Sequence, residues 1–152
     1  MNEGSVASAS TWASVALLIG GAAVTVGVGG GMQFAVGVLT GFLASLFVHE
    51  LGHVVAARAC GLPVRRFTVH LLGGSVEYAL TPPARTRAAV SMGGPAASAL
   101  SALPALVLGA GTDGVDAVLG GLVAGSAVLM IVNLLPLPGS DGWHAASALR
   151  DR

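Results

Sequence analysis

His49, Glu50, Leu51, Gly52 and His53 spell HExxH inside a long apolar stretch. In a helix, positions i and i+4 share a face, so the two imidazoles can bind one Zn2+ while Glu50 beside them serves as general base. The bland reading is a chance match or a pair of packing histidines, because short motifs carry false positives. The setting argues against it. A charged or strongly polar side chain in a membrane span costs on the order of 2.5–3.5 kcal/mol on insertion scales, and ionisable residues there are functional by default. This segment places three of them within five residues. A catalytic zinc takes three protein ligands and keeps one position open, so a third ligand must come from elsewhere. Asp141, in Asn-Leu-Leu-Pro-Leu-Pro-Gly-Ser-Asp-Gly-Trp-His, is the only acid after the last apolar stretch before Asp151. Its alternative role is to cap a short helix over Gly142 to Leu149, where Asp is favoured. His144, about one helical turn on, is a competing ligand, and Glu77 and His70 are weaker rivals.

The elements that must position these groups are set by composition. Of 152 residues, 54% are hydrophobic and 9% charged, whereas soluble domains carry roughly a quarter charged residues. The chain reads as an integral membrane protein. Seven arginines, with no lysine, balance seven acids, so no net charge draws it to nucleic acid. Cys60 is the sole cysteine, which excludes an intrachain disulfide and the cysteine-rich zinc clusters of small soluble domains. A metal site must use His and carboxylates. No Lys or Arg precedes the first apolar stretch, so the N-terminus lacks the basic region of a secretory signal and reads as a retained span.

A membrane helix needs about 20 mostly apolar residues, and four segments qualify: about 11–28, 34–59, 87–110 and 115–137. The expected fold is an all-α membrane protein, one domain over 1–152, whose helices carry many small residues that allow close approach. Between the second and third spans, about 65–80, β-branched and aromatic residues roughly alternate around Gly73-Gly74 and predict a short β-hairpin. An open strand edge is not tolerated facing lipid, so the hairpin must lie against protein, in a wet cavity or at the membrane interface. Pro136 and Pro138 end the last span. Trp12 and Trp143 suit interfacial anchors.

Together, HELGH at 49–53, Gly93-Gly94-Pro95 and Asn133-Leu-Leu-Pro-Leu-Pro-Gly-Ser-Asp141-Gly resemble the site-2 protease family of intramembrane zinc metalloproteases. The similarity covers about 34–149. It implies Asp141 as third ligand to a single Zn2+ and Asn133 as an active-centre residue. It also implies a membrane-associated hairpin, with Gly73 and Gly74 near its tip, that pairs with extended substrate. Gly93, Gly94 and Pro95 serve either tight packing or the shaping of the substrate pocket. No segment is long or polar enough for the PDZ or CBS domains of some relatives, so the expectation is a catalytic core alone. The implied partners are the lipid bilayer and a protein substrate that itself spans the membrane. The competing readings are an inactive scaffold and an ion or proton transporter that uses the same His and Glu cluster. Abundant Ala, Gly and Val, with Arg in place of Lys, suggest a bacterial cell membrane.

Arginine sets the expected sidedness, because basic residues near span ends stay cytoplasmic. With four spans, both termini and the hairpin share the side holding all seven arginines, and Asp113 and Asp116 lie opposite. The second and fourth spans then both run outside to inside, so His49, His53 and Asp141 can meet. In cysteine-accessibility labelling, Gly73→Cys is expected to react only from the cytoplasm and Asp113→Cys only from outside; the reverse pattern would overturn this topology.

Overall fold

The apolar run that carries HExxH folds as one 28-residue helix, α1 (Met32–Ala59), in a computed structural model that describes residues 31–70, 73–108 and 114–150. Its buried face combines small and ionisable residues, Gly37, Gly41, Ser45, His49, Glu50, Gly52, His53 and Ala57, with the larger Phe42, Leu46 and Val54. The bulky residues Val36, Phe47, Leu51 and Val55 face outward. Such outward apolar side chains suit a lipid-facing exterior, where they need no protein cover. The helix stops at Cys60 because Gly61 turns left-handed, at φ 71°. The Leu62 N–H reaches back to the Ala57 carbonyl and the Gly61 N–H to that of Arg58, a Schellman closure. Leu62 then packs on Ala57 and Val90, with Val64 and Tyr78 at the edge of the cluster.

An antiparallel hairpin follows, β1 (Val64–His70) and β2 (Gly73–Tyr78), paired from His70↔Gly73 through Arg66↔Glu77, with a bulge between Val64 and Arg66. The hairpin over 65–80 is therefore present, but Gly73 and Gly74 open β2 and do not form the turn expected of them. Phe67 of β1 leans on Phe47 of α1, with ring centroids 6.4 Å apart, so one strand lies along the helix that carries the motif.

The segment expected as a single span over 87–110 is divided into α2 (Ala84–Ser91) and α3 (Gly93–Leu108), with Met92 between them. The cause is local. Gly93 and Gly94 weaken helix continuation, and Pro95 has no N–H to donate and crowds the carbonyl four residues back. Next come α4 (Gly114–Leu134), a Pro-containing turn with Gly139 at φ 87°, and α5 (Asp141–Arg150). Five helices and one hairpin thus make up the described residues. Two helices, α1 and α4, are long and apolar enough to cross a membrane. The expected first span, 11–28, lies outside the described residues.

The two long helices touch backbone to backbone. A Cβ on Gly41 would collide with the Val118 carbonyl, and one on Gly121 with the Val38 carbonyl; one on Gly125 would meet Ser45 Oγ. Glycine at every fourth position is what lets membrane helices approach this closely and gain dispersion energy where the hydrophobic effect offers none. Gly121→Ala is accordingly expected to cost about 1–3 kcal/mol of bundle stability, the usual range for overpacking. Thermal unfolding in detergent reads this as a lowered midpoint, and an unchanged midpoint would contradict the close approach.

Candidate metal centre

His49 and His53 lie one turn apart on the buried face of α1, with rings edge to face and centroids 5.1 Å apart. Asp141, the first residue of α5, closes the group. Its Oδ2 is 3.1 Å from His49 Nε2 and its Oδ1 3.4 Å from His53 Nε2. All three donor atoms fall within 4.8 Å of one another. Ligand atoms on a tetrahedral zinc, with bonds of roughly 2.05 Å, stand about 3.3 Å apart, so these spacings fit one ion. The surroundings fit it too. A Cβ on Gly94 would land on Nε2 of both histidines, which means that the missing side chain leaves open the space toward which the two nitrogens point.

The opposite nitrogens are also engaged. His53 Nδ1 donates to the Val90 carbonyl at 2.8 Å, and His49 Nδ1 bonds Ser98 Oγ at 2.9 Å. Val90 lies in the last turn of α2, and its carbonyl accepts a capping backbone N–H as well as His53 Nδ1. Close packing brings these groups within reach: a Cβ on Gly52, between the two histidines, would strike the Gly93 carbonyl.

Asp141 is free to turn toward the imidazoles because Ser140 takes over the helix cap. The Trp143 N–H donates to Ser140 Oγ at 3.1 Å, and Ser140 Oγ donates to the Leu135 carbonyl at 2.5 Å. The capping role weighed for Asp141 thus belongs to its neighbour. Burial disfavours the Asp141 charge, but hydrogen bonds from His49 and His53 and their positive charge outweigh it and hold the carboxyl below the usual carboxylate range. His144, the rival ligand, is exposed and outside the group, and exposed Glu77 pairs across the hairpin with Arg66.

Glu50 is buried beside the three donors and feels the charge of each. The Gly74 N–H donates to its carboxylate, and a Cβ on Gly74 would collide with that group. The hairpin therefore covers the carboxylate at a position where only glycine fits. Pro95 is buried next to Gly94. Asn133 is half-buried and donates to the Leu129 carbonyl at 3.0 Å, a bond within its own helix and not to the metal group. Gly73 opens β2 opposite His70. Sequence reasoning missed Ser98, the Val90 carbonyl and Tyr78. Burial, then the charges of Asp141 and Glu50, push the Tyr78 hydroxyl above its usual range, which places it within electrostatic reach of the site. For Ser98 there was a signal: it follows Gly94 by one helical turn in an apolar segment.

The sequence pattern of Peptidase family M50 matches residues 37–118. That range holds the HExxH face, Gly94 and Ser98, and it ends before Asp141. A Synechocystis protein named "Putative zinc metalloprotease" is 32% identical over 128 residues, which make up 79% of this chain and 33% of that protein. The chain thus spans about a third of the length of that relative. No solved structure gives a significant match.

The geometry sets an expectation for metal analysis of purified protein. Wild type and His144→Ala should carry about one zinc per chain. Asp141→Ala should lose it, and so should Gly94→Ala, in which all three ligands remain but their common space is filled. Full zinc retention in Gly94→Ala would remove the ion from this position, and retention in Asp141→Ala would transfer the third-ligand role elsewhere.

Proposed function

The chain belongs to Peptidase family M50, the site-2 protease family, and from that premise we propose that it is a membrane-embedded zinc endopeptidase. Its substrate in this reading is another membrane protein, cut in or near a transmembrane segment. The observation that carries the proposal is the juxtaposition of three metal-type donors with a buried carboxylate, Glu50, that is not itself needed as a ligand. A structural metal site would require no such group.

In this reading His49 Nε2, His53 Nε2 and Asp141 hold the ion. When bound, zinc supplies Lewis-acid polarisation of the scissile carbonyl and acidifies water. Glu50 accepts the proton of the attacking water and passes it to the leaving amine nitrogen. A transmembrane helix hides its carbonyls in its own hydrogen bonds, so the substrate must unwind before attack. The hairpin, with Gly74 on Glu50 and Gly73 preceding it in β2, can hold the extended form by strand addition, and Pro95 and Asn133 complete the substrate side of the site. The whole chain acts as one domain embedded in the bilayer of a bacterial cell membrane, with both termini cytoplasmic. Two helices of spanning length and apolarity, α1 and α4, support the embedding.

Glu50→Gln keeps size and polarity but removes the base. The variant is expected to fold, to stay in the membrane and to retain zinc, while cleavage falls by at least about 100-fold, the lower end of what general acid-base catalysis contributes. Cleavage of a transmembrane substrate at the wild-type rate would discard the base assignment. Zinc-bound wild type that cuts no candidate span in liposomes would favour a scaffold or transporter that uses the same cluster.

A further inference from the structure

The Ser98 hydroxyl lies 2.9 Å from His49 Nδ1, and both residues are buried, at 0% and 3% exposure. Ser98 sits on α3, one helical turn beyond Gly94, so one face of one helix meets both the nitrogens that point toward the metal space and the back of the His49 ring. The two histidines are held differently. A carbonyl only accepts, so Val90 holds a proton on His53 Nδ1, and with a metal bound this would leave the Nε2 lone pair to the ion. A hydroxyl can accept or donate, so His49 takes the matching tautomer only when Ser98 accepts. With a metal bound, Nδ1–H would donate to Ser98 Oγ and Nε2 would offer the ion its lone pair, in place of the Nε2–H that donates to Asp141 Oδ2 without one.

We propose that Ser98 is a positioning residue of the metal site, one that orients the His49 ring and selects its ligating tautomer. The inference rests on the metal-site reading above and is independent of whether the chain cuts peptides. Groups that hydrogen-bond the outer nitrogen of a ligating histidine fix the ring and raise its basicity, and losing one costs roughly 10–100-fold in metal affinity. Ser98 is well placed for such a role. It is fully enclosed in the bundle, with its hydroxyl against Nδ1. Ser126, on α4, is a second buried hydroxyl that meets Ser101 Oγ of α3 at 3.0 Å, and it supplies the comparison.

The experiment measures zinc affinity of the full chain in detergent by chelator competition and, in parallel, the visible spectrum after loading with Co2+. Ser98→Ala is expected to weaken zinc binding roughly 10–100-fold and to shift the Co2+ bands, because the His49 ring loses its fixed orientation. Ser98→Thr, which keeps the hydroxyl, should restore both readings toward wild type. Ser126→Ala should leave both unchanged. Wild-type affinity and an unchanged spectrum in Ser98→Ala would overturn the proposal, as would equal losses in Ser98→Ala and Ser126→Ala, which would indicate loosening of the bundle. Wild type that takes up neither ion would overturn the metal-site reading and this inference with it. Wild type that binds zinc but cuts no substrate would overturn the protease reading alone.

Discussion

An apolar helix can carry His49, Glu50 and His53 on its buried face only if other parts of the chain receive them. In a medium with little water, an unpartnered ionisable group costs several kcal/mol, so the rest of the bundle is arranged to meet these three. Asp141 faces both inner nitrogens, Ser98 and the Val90 carbonyl face the outer ones, and the Gly74 N–H faces the carboxylate. Each partner comes from a different element. The polar cluster therefore constrains the positions of α2, α3, α5 and the hairpin relative to α1.

Glycine solves the corresponding problem of space. Hydrogen bonds to a buried helix face require backbones to come within a few ångströms of it, and side chains are in the way. Gly52 and Gly93 bring α3 against α1 at the level of the histidines, Gly94 leaves open the space before their Nε2 atoms, and Gly74 lets a strand lie on Glu50. Further along α1, Gly41 and Gly121 do the same for α4 without any polar purpose. The same residue type thus serves packing at one level of the bundle and chemistry at another. This is why Gly93-Gly94 could be read either way from sequence. Gly93 meets backbone and an alanine methyl, whereas Gly94 meets imidazole nitrogens.

The features readable in advance were those with local signatures. The long helix bearing HExxH and the short helix after Pro138 both follow from adjacent residues, and so does the hairpin near 65–80. The helix break at Met92 was hidden because every residue from Ala88 to Leu108 except Pro95 and Pro104 suits an apolar or small-residue span, and hydropathy averages over such interruptions. Ser140 was hidden for another reason: the cap position depends on which of two adjacent polar residues turns inward, and that is decided by the imidazoles 87 and 91 residues earlier in the chain. Ser98 and the Val90 carbonyl escaped notice because one is an ordinary small residue and the other has no side-chain signature at all.

The long separation between the ligands in sequence has a consequence for how the centre forms. His49 and His53 are placed by one helix, whereas the position of Asp141 depends on the packing of α4 on α1 and on the turn through Gly139 into α5. The α5 helix is then held in place by its contact with α2, the same short helix whose end supplies the acceptor for His53. Gly142 fits against the Leu134 carbonyl at the end of α4, where a side chain would collide, so the turn is closed from both sides. Asp141 is thus placed by packing that the small residues of α1 and α4 make possible, and its carboxylate sits opposite the histidines that compensate its charge. Loosening the packing of the apolar helices is for this reason expected to disorder the His49, His53 and Asp141 group.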